Sequence, residues 1–181
     1  MDTDEDKTWV SQSQNGDDAA YESLIRKHQQ MIHSLTFRMT GSMADAKDLA
    51  QETFVRAYRQ LDSYQGNSRF SSWLYRIAVN ACLDWRRREK RRAELLANWR
   101  NLNAETAPTP DSPANLDELS REVQAALMRL PDKQRAAVVL TVYGELNHAE
   151  AATILGCSET TVSWRIFSAR RKLKKLLARH D

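Results

Sequence analysis

Apolar residues recur at spacings of three and four along most of this chain, the period of amphipathic helices. Leu24, Ile25, His28, Met31, Ile32, Leu35 and Met39 form one stripe, broken at Thr40-Gly41. Ser42 and Asp45 then make a capping-box-like start, and Ala46, Leu49, Ala50, Thr53, Phe54, Ala57 and Leu61 carry the next stripe. After the polar turn Asp62-Ser63-Tyr64-Gln65-Gly66-Asn67-Ser68, the residues Phe70, Trp73, Leu74, Ile77, Ala78, Ala81 and Trp85 predict a helix from about Ser71 to Arg92. Trp73 and Trp85 suit core packing better than base stacking.

The pattern changes at Ala93. From there to Asn115 the chain is polar and carries Pro108, Pro110 and Pro113, which disfavour a continuous helix. Two small all-α domains joined by a flexible linker follow. The divisions are an acidic N-terminal arm at 1–16, a first helical domain at 17–92, a linker at 93–116 and a second helical domain at 117–181.

The second domain holds the sharpest local signal, the run from Leu146 to Ile166. Asn147 can cap a helix with Glu150 three residues on, and Ala151, Ile154 and Leu155 supply its apolar face. Gly156 suits a left-handed helix end and Ser158 can cap the next helix, so the turn is short. This is a helix-turn-helix pattern. On its second helix Val162, Ile166 and Ala169 face inward, which leaves Thr160, Thr161, Ser163, Trp164, Arg165, Phe167 and Ser168 for the DNA groove or the surface. Arg165, Arg170, Arg171, Lys172, Lys174, Lys175 and Arg179 follow without an acidic interruption, as phosphate contact requires. Alone, such a run also describes a solvated cationic helix end.

Composition narrows the choice. A chain of 181 residues, 41% hydrophobic and 28% charged, is ordinary for a soluble fold. No apolar run reaches membrane length, and Met1-Asp2-Thr3-Asp4-Glu5-Asp6 is unlike a signal peptide, so a cytoplasmic protein is expected. Cys82 and Cys157 are too few for a disulfide framework and read as small buried residues. His28, His33, His148 and His180 lack metal-ligand spacing, and no catalytic constellation, metal site, cofactor site or Gly-rich phosphate loop is found.

The net charge of +3 is unevenly spread, with seven acidic groups in residues 1–22 and a basic block of Arg86, Arg87, Arg88, Lys90, Arg91 and Arg92. Two separated cationic patches suggest two contacts with one polyanion. On the helix carrying that block, Ser72, Tyr75, Arg76, Val79, Asn80, Leu83, Arg86 and Arg87 lie away from the core stripe, a mixture suited to single-stranded DNA. Asp48, Gln51, Glu52, Arg56 and Arg59 lie outside the preceding stripe. They make either a solvated face with i,i+4 pairs or a docking face.

The blocks Asp48-Leu49-Ala50-Gln51-Glu52-Thr53-Phe54 and Phe70-Ser71-Ser72-Trp73-Leu74-Tyr75-Arg76-Ile77-Ala78-Val79-Asn80 resemble bacterial RNA polymerase sigma factors of the extracytoplasmic-function group. Leu130-Pro131, Gln134-Arg135, Val139-Leu140 and the helix-turn-helix are similar to that family's fourth region. The resemblance covers about residues 17–92 and 117–178.

It implies an alternative sigma factor without enzymatic activity, which binds core polymerase, recognises the minus-35 and minus-10 elements and promotes DNA opening. Asp48, Gln51, Glu52 and Arg56 would dock on the clamp helices of the largest polymerase subunit, and the fourth region near the flap. Asp62, Tyr64, Ser68, Tyr75, Arg76, Asn80, Arg86 and Arg87 would meet the minus-10 strand, with Asn80 at a pocket for an extruded base. Thr160, Thr161, Ser163, Trp164, Arg165, Phe167, Ser168 and Arg171 would face the minus-35 element. An anti-sigma partner, often membrane-linked in this family, is implied, and no small-molecule substrate.

Trp164 and Ser168 depart from the family, where a small polar residue and a cation are common. The competing reading is a stand-alone duplex-DNA regulator that dimerises through its first domain and binds a symmetric site without polymerase. A nucleic-acid-processing enzyme is disfavoured by the missing carboxylate or histidine cluster.

Overall fold

The computed structural model describes residues 4–100 and 118–178, and among these there is no strand. Four helices come before residue 101: α1 (Asp4–Gln14), α2 (Asp18–Thr40), α3 (Met43–Gln60) and α4 (Phe70–Arg100), with a 3-10 turn at Leu61–Ser63 after α3. Four more follow: α5 (Glu118–Met128), α6 (Asp132–Val138), α7 (His148–Leu155) and α8 (Glu159–Leu177), with a π turn at Val139–Tyr143 after α6.

Local signals set the boundaries. The Asp17 carboxylate accepts the amides of Ala19 (3.0 Å) and Ala20 (3.2 Å) to start α2. Gly41 ends it in the left-handed conformation at φ 77°, donating its amide to the Phe37 carbonyl. A Cβ at Gly41 would stand 2.9 Å from Cγ of Met128, so a larger residue there would also push the flexible Met128 side chain of α5 aside. Ser42 caps α3 by accepting the Asp45 amide at 3.3 Å. All seven residues of the α3 stripe are buried, through Leu61.

Two boundaries differ from the sequence reading. The stretch read as an acidic arm contains α1, which packs on α2 through Val10 and half-buried Trp9. Asp6 is 1% exposed, and one of its oxygens lies 2.9 Å from Lys27 Nζ and 3.2 Å from His28 Nε2. Partial burial works against the Lys27 ammonium, but hydrogen bonding and attraction from Asp6 and Glu5 outweigh it and raise its pKa. At the other end, α4 runs to Arg100 instead of stopping near Arg92, because Ala93-Glu94-Leu95-Leu96-Ala97 are good helix formers. The linker positions 101–116, with their prolines, lie outside the described residues, as do Arg179 and His180.

The two helical domains are packed together. A single apolar cluster runs from Leu24, Ile32, Leu74 and Val79 to Leu140, Ile154 and Ile166. Arg135, on α6, is fully buried and holds the junction. Its Nε donates to the Leu127 carbonyl (2.9 Å), its Nη2 to those of Met128 and Leu130 (2.9 Å each), and its Nη1 to that of Met39 (2.7 Å). One guanidinium thus caps the C-terminal ends of α5 and α2. Burial, with repulsion from Arg86, lowers its pKa to about 10 against the pull of Asp132, so it stays protonated at neutral pH. Gln124 adds a bond from α5 to the Phe37 carbonyl (3.1 Å), and Arg38 stacks on the Tyr143 ring at 3.7 Å.

Candidate nucleic-acid and polymerase interfaces

The α7–α8 pair is built by its caps. The Asn147 side chain accepts the Glu150 amide (2.9 Å) while Glu150 accepts that of Asn147 (3.0 Å), completing the capping box. Gly156 turns the chain at φ 59° and ψ 44°, and Ser158 accepts the Thr161 amide at 3.2 Å. Val162, Ile166 and Ala169 are buried beneath α8 as their spacing predicts.

The candidate readers do not all reach solvent. Thr160, Trp164, Phe167 and Arg171 form an exposed stripe opposite the buried one. Ser163 is exposed but pairs with His148 Nδ1 at 2.9 Å, and half-buried Ser168 accepts from Gln134 at 3.2 Å. Arg165 is half-buried and turns back toward Cys157, its Nη1 3.4 Å from the sulfur. Thr161 sits beside the Ser158 cap, its Oγ1 2.9 Å from the Ser158 hydroxyl. Cys157 is half-buried and not enclosed as expected, because it lies in the turn, whereas Cys82 is buried on α4. Burial, helped by the Glu52 charge, raises the Cys82 thiol to about 12 against the opposing effect of Arg135.

The loop between α3 and α4 is held from two sides. Gln14 of α1 donates to the carbonyls of Leu61 (2.9 Å) and Tyr64 (3.0 Å). Above it the Tyr64 ring packs 5.6 Å from Phe70 and 5.2 Å from Trp73, and its hydroxyl donates to the Ser68 carbonyl. Asp62, Ser68 and Arg76 are exposed, and Tyr64, Ser68, Ser72 and Arg76 line a groove of about 980 Å³. The far wall of that groove is α7, where Glu150 lies 3.8 Å from Arg69.

The outer face of α4 differs from its sequence reading. Tyr75 and Val79, expected to project outward, are 6% and 1% exposed because the second domain covers that side. The Tyr75 hydroxyl faces Gly144, at the end of the π turn, and burial raises its pKa. Arg86 pairs with Asp132 of α6 at 3.1 Å, while Arg87 pairs locally with Asp84 at 3.2 Å. Asn80 is exposed, one helical turn beyond Arg76.

On α3, Asp48 and Gln51 are exposed, and half-buried Glu52 pairs with Arg56. Gln51 also borders a groove of about 710 Å³ between α2 and α3. The sequence reading missed its other walls: Val55 (43% exposed) and Tyr58 (50% exposed) leave apolar surface in solvent beside His33 and Arg59. Val55 follows the buried pair Thr53-Phe54, so an apolar residue just off the stripe was the available signal.

The family model for sigma-70 region 2 matches residues 24–92, and that for sigma-70 region 4 matches residues 120–173. The ECF RNA polymerase sigma factor SigW of Bacillus subtilis is 35% identical over 180 residues, covering 94% of this chain and 96% of its own. This chain belongs to the extracytoplasmic-function sigma factors. The ECF RNA polymerase sigma-E factor of Salmonella typhimurium is 34% identical over 176 residues, covering 93% of this chain and 92% of its own. Among solved structures, CnrH, determined in complex with the cytosolic domain of CnrY, superposes with a TM-score of 0.70 at 28% identity, over 98% of this chain and 99% of its own.

In this sigma factor, region 2 therefore comprises most of α2, all of α3 and the 3-10 turn, and α4 to Arg92, and region 4 spans α5 to α8. Helix α1 precedes the matched segment, yet it supports the region 2 loop through Gln14. No described helix is long and apolar enough to cross a membrane.

Proposed function

We propose that this sigma factor divides promoter recognition among three surfaces: the α3 face, the loop before α4, and the exposed stripe of α8. The observation that carries the reading is the last of these, a fully capped helix-turn-helix whose second helix presents Thr160, Trp164, Phe167 and Arg171 beside a cationic tail, within a region 4 chain. Arg171 and Lys172 meet phosphates while the stripe faces the minus-35 major groove.

Region 2 supplies the other two contacts. Asp48, Gln51, Glu52 and Arg56, with the apolar edge at Val55 and Tyr58, dock on the polymerase clamp helices. Tyr64, Ser68 and Arg76 border the space that receives an unstacked minus-10 base, and Asn80 stands further along the strand's path. Extruding a base costs a few kcal/mol, and the region 2 wall of the groove, exposed once region 4 moves away, offsets part of that by holding the base. The protein holds an opened strand and catalyses no reaction.

The packed arrangement has to open for this. At about 3.4 Å per base pair, positions minus-35 and minus-10 lie roughly 85 Å apart, whereas a compact chain of this size has a radius of gyration of only about 16 Å. Residues 101–117, at about 3.3–3.6 Å each, permit the domains to separate by up to about 60 Å. Tyr75, Arg86 and Arg69 are then released from region 4. A cytoplasmic anti-sigma domain that holds the two regions together would block both DNA surfaces; CnrH, similar in fold, is seen in complex with the cytosolic domain of CnrY.

The deciding experiment is in vitro transcription with bacterial core polymerase, with and without the protein, on a promoter library. Specific initiation only on its addition supports the reading. Tight polymerase-free binding to a two-fold symmetric site, with no initiation, would replace it by the stand-alone regulator.

A further inference from the structure

We propose that Trp164 and Phe167 read thymine methyl groups, so that this sigma factor selects its minus-35 element by apolar contact at one or two thymines. The inference rests on the assignment of α8 to the minus-35 groove and adds the base chemistry that the helix would recognise.

Three observations carry it. Trp164 and Phe167 are 63% and 64% exposed, the largest apolar side chains that region 4 leaves in solvent. They stand three residues apart on one stripe, about 4.5 Å along the helix axis, comparable with the roughly 3.4 Å between base pairs. The two rings therefore address the same base pair or adjacent ones.

The second observation concerns hydrogen bonding. Ser163 is paired with His148 and Ser168 accepts from Gln134, so two hydroxyls flanking the stripe are each held in place by a partner within the domain. Arg165 turns toward Cys157, away from the stripe. Between Thr160 and Arg171, which remain exposed at the two ends of the stripe, the surface offered to the groove is the hydrocarbon of the two rings. In the major groove the one apolar feature that distinguishes a base pair is the 5-methyl of thymine, for which an aromatic side chain is a recognised contact.

The third is charge. A notch of about 320 Å³ lies between Trp164, Phe167 and Ser168 on one side and Arg171, Lys172 and Lys175 on the other. From Thr160 to Ala178 no residue is acidic. Aromatic rings rimmed by cations alone match a polyanion carrying methyl groups better than a protein helix, whose own charges would be mixed.

The test uses holoenzyme made from core polymerase and the full chain. A preferred promoter is selected from a randomised library, and each minus-35 thymine, on either strand, is replaced in turn by deoxyuridine, which lacks only the 5-methyl. Initiation or binding should fall about fourfold per methyl at one position or two adjacent ones, the equivalent of about 0.8 kcal/mol. At those positions Trp164→Ala or Phe167→Ala should use thymine and deoxyuridine equally. Equal use of the two by the wild-type protein at every position would overturn the proposal, as would a selected element without thymine. Variants that keep the full preference would also overturn it. Failure to select any promoter would instead strike at the sigma reading itself.

Discussion

Replacing Arg135 by methionine keeps most of the side-chain volume and removes the charge, so it isolates the polar contribution at the junction. Arg135 donates to four carbonyls at 2.7–2.9 Å; without it those of Met128, Leu130 and Met39 lose this donor, while that of Leu127 keeps the Leu130 amide at 3.0 Å. A buried polar group left unsatisfied costs about 1–3 kcal/mol, but neighbouring losses are not additive and part of the desolvation cost of the guanidinium is recovered. The expected loss is about 3–5 kcal/mol, a large part of the ~5–15 kcal/mol available to a typical protein. Arg135→Lys should recover less than half, because one ammonium cannot reach acceptors spread around a planar fork. Urea unfolding followed by far-ultraviolet circular dichroism measures both, since the described elements of both regions are helical. A loss below about 1 kcal/mol for Arg135→Met, or wild-type stability for Arg135→Lys, would refute the capping argument.

Asn147→Ala removes the capping box of α7 and should cost about 1 kcal/mol, lowering the thermal midpoint by roughly 2–4 °C; an unchanged midpoint would mean that packing alone holds the helix-turn-helix. The Cys82 thiol has its pKa raised from 9.0 to about 12, so its contribution is intact below pH 9 and is lost as pH rises toward 12, at up to about 1.4 kcal/mol per pH unit. Cys82→Ala should flatten that slope in pH-dependent unfolding, and iodoacetamide near pH 8 should label half-buried Cys157 well before Cys82. Asn80→Ala should leave polymerase binding intact while reducing permanganate-detected open complex; normal opening would remove Asn80 from the strand's path.

Much of the protein was legible in local sequence. The helices with strong stripes, the caps at Ser42, Asn147 and Ser158, and the Gly41 and Gly156 turns depend on residues within four or five positions of one another, so spacing alone declares them. The blocks carrying the family resemblance are local too. Helix α1 escaped because its helix is secured by α2: the acidic Asp6 becomes a buried partner only when Lys27 and His28 arrive from 21 and 22 residues away.

The candidate surfaces divide in the same way. Periodicity identified which side of α4 and α8 packs inward, and those stripes are buried except for Trp73 and Trp85, which pack half-buried against the core. It read the opposite sides as outward, but an outward face can meet either water or another part of the chain. Tertiary packing covered Tyr75 and Val79 with region 4, tied Ser163 to His148 and Ser168 to Gln134, and turned Arg165 toward Cys157. It left Trp164 and Phe167 in solvent, and it put Arg135, which the sequence marked only as part of a family motif, at the centre of the junction. Sequence determined the helices and their apolar sides because those follow from short-range sterics and spacing; only the tertiary structure decided which polar groups remain available, since partners such as His148 and Gln134 come from another helix.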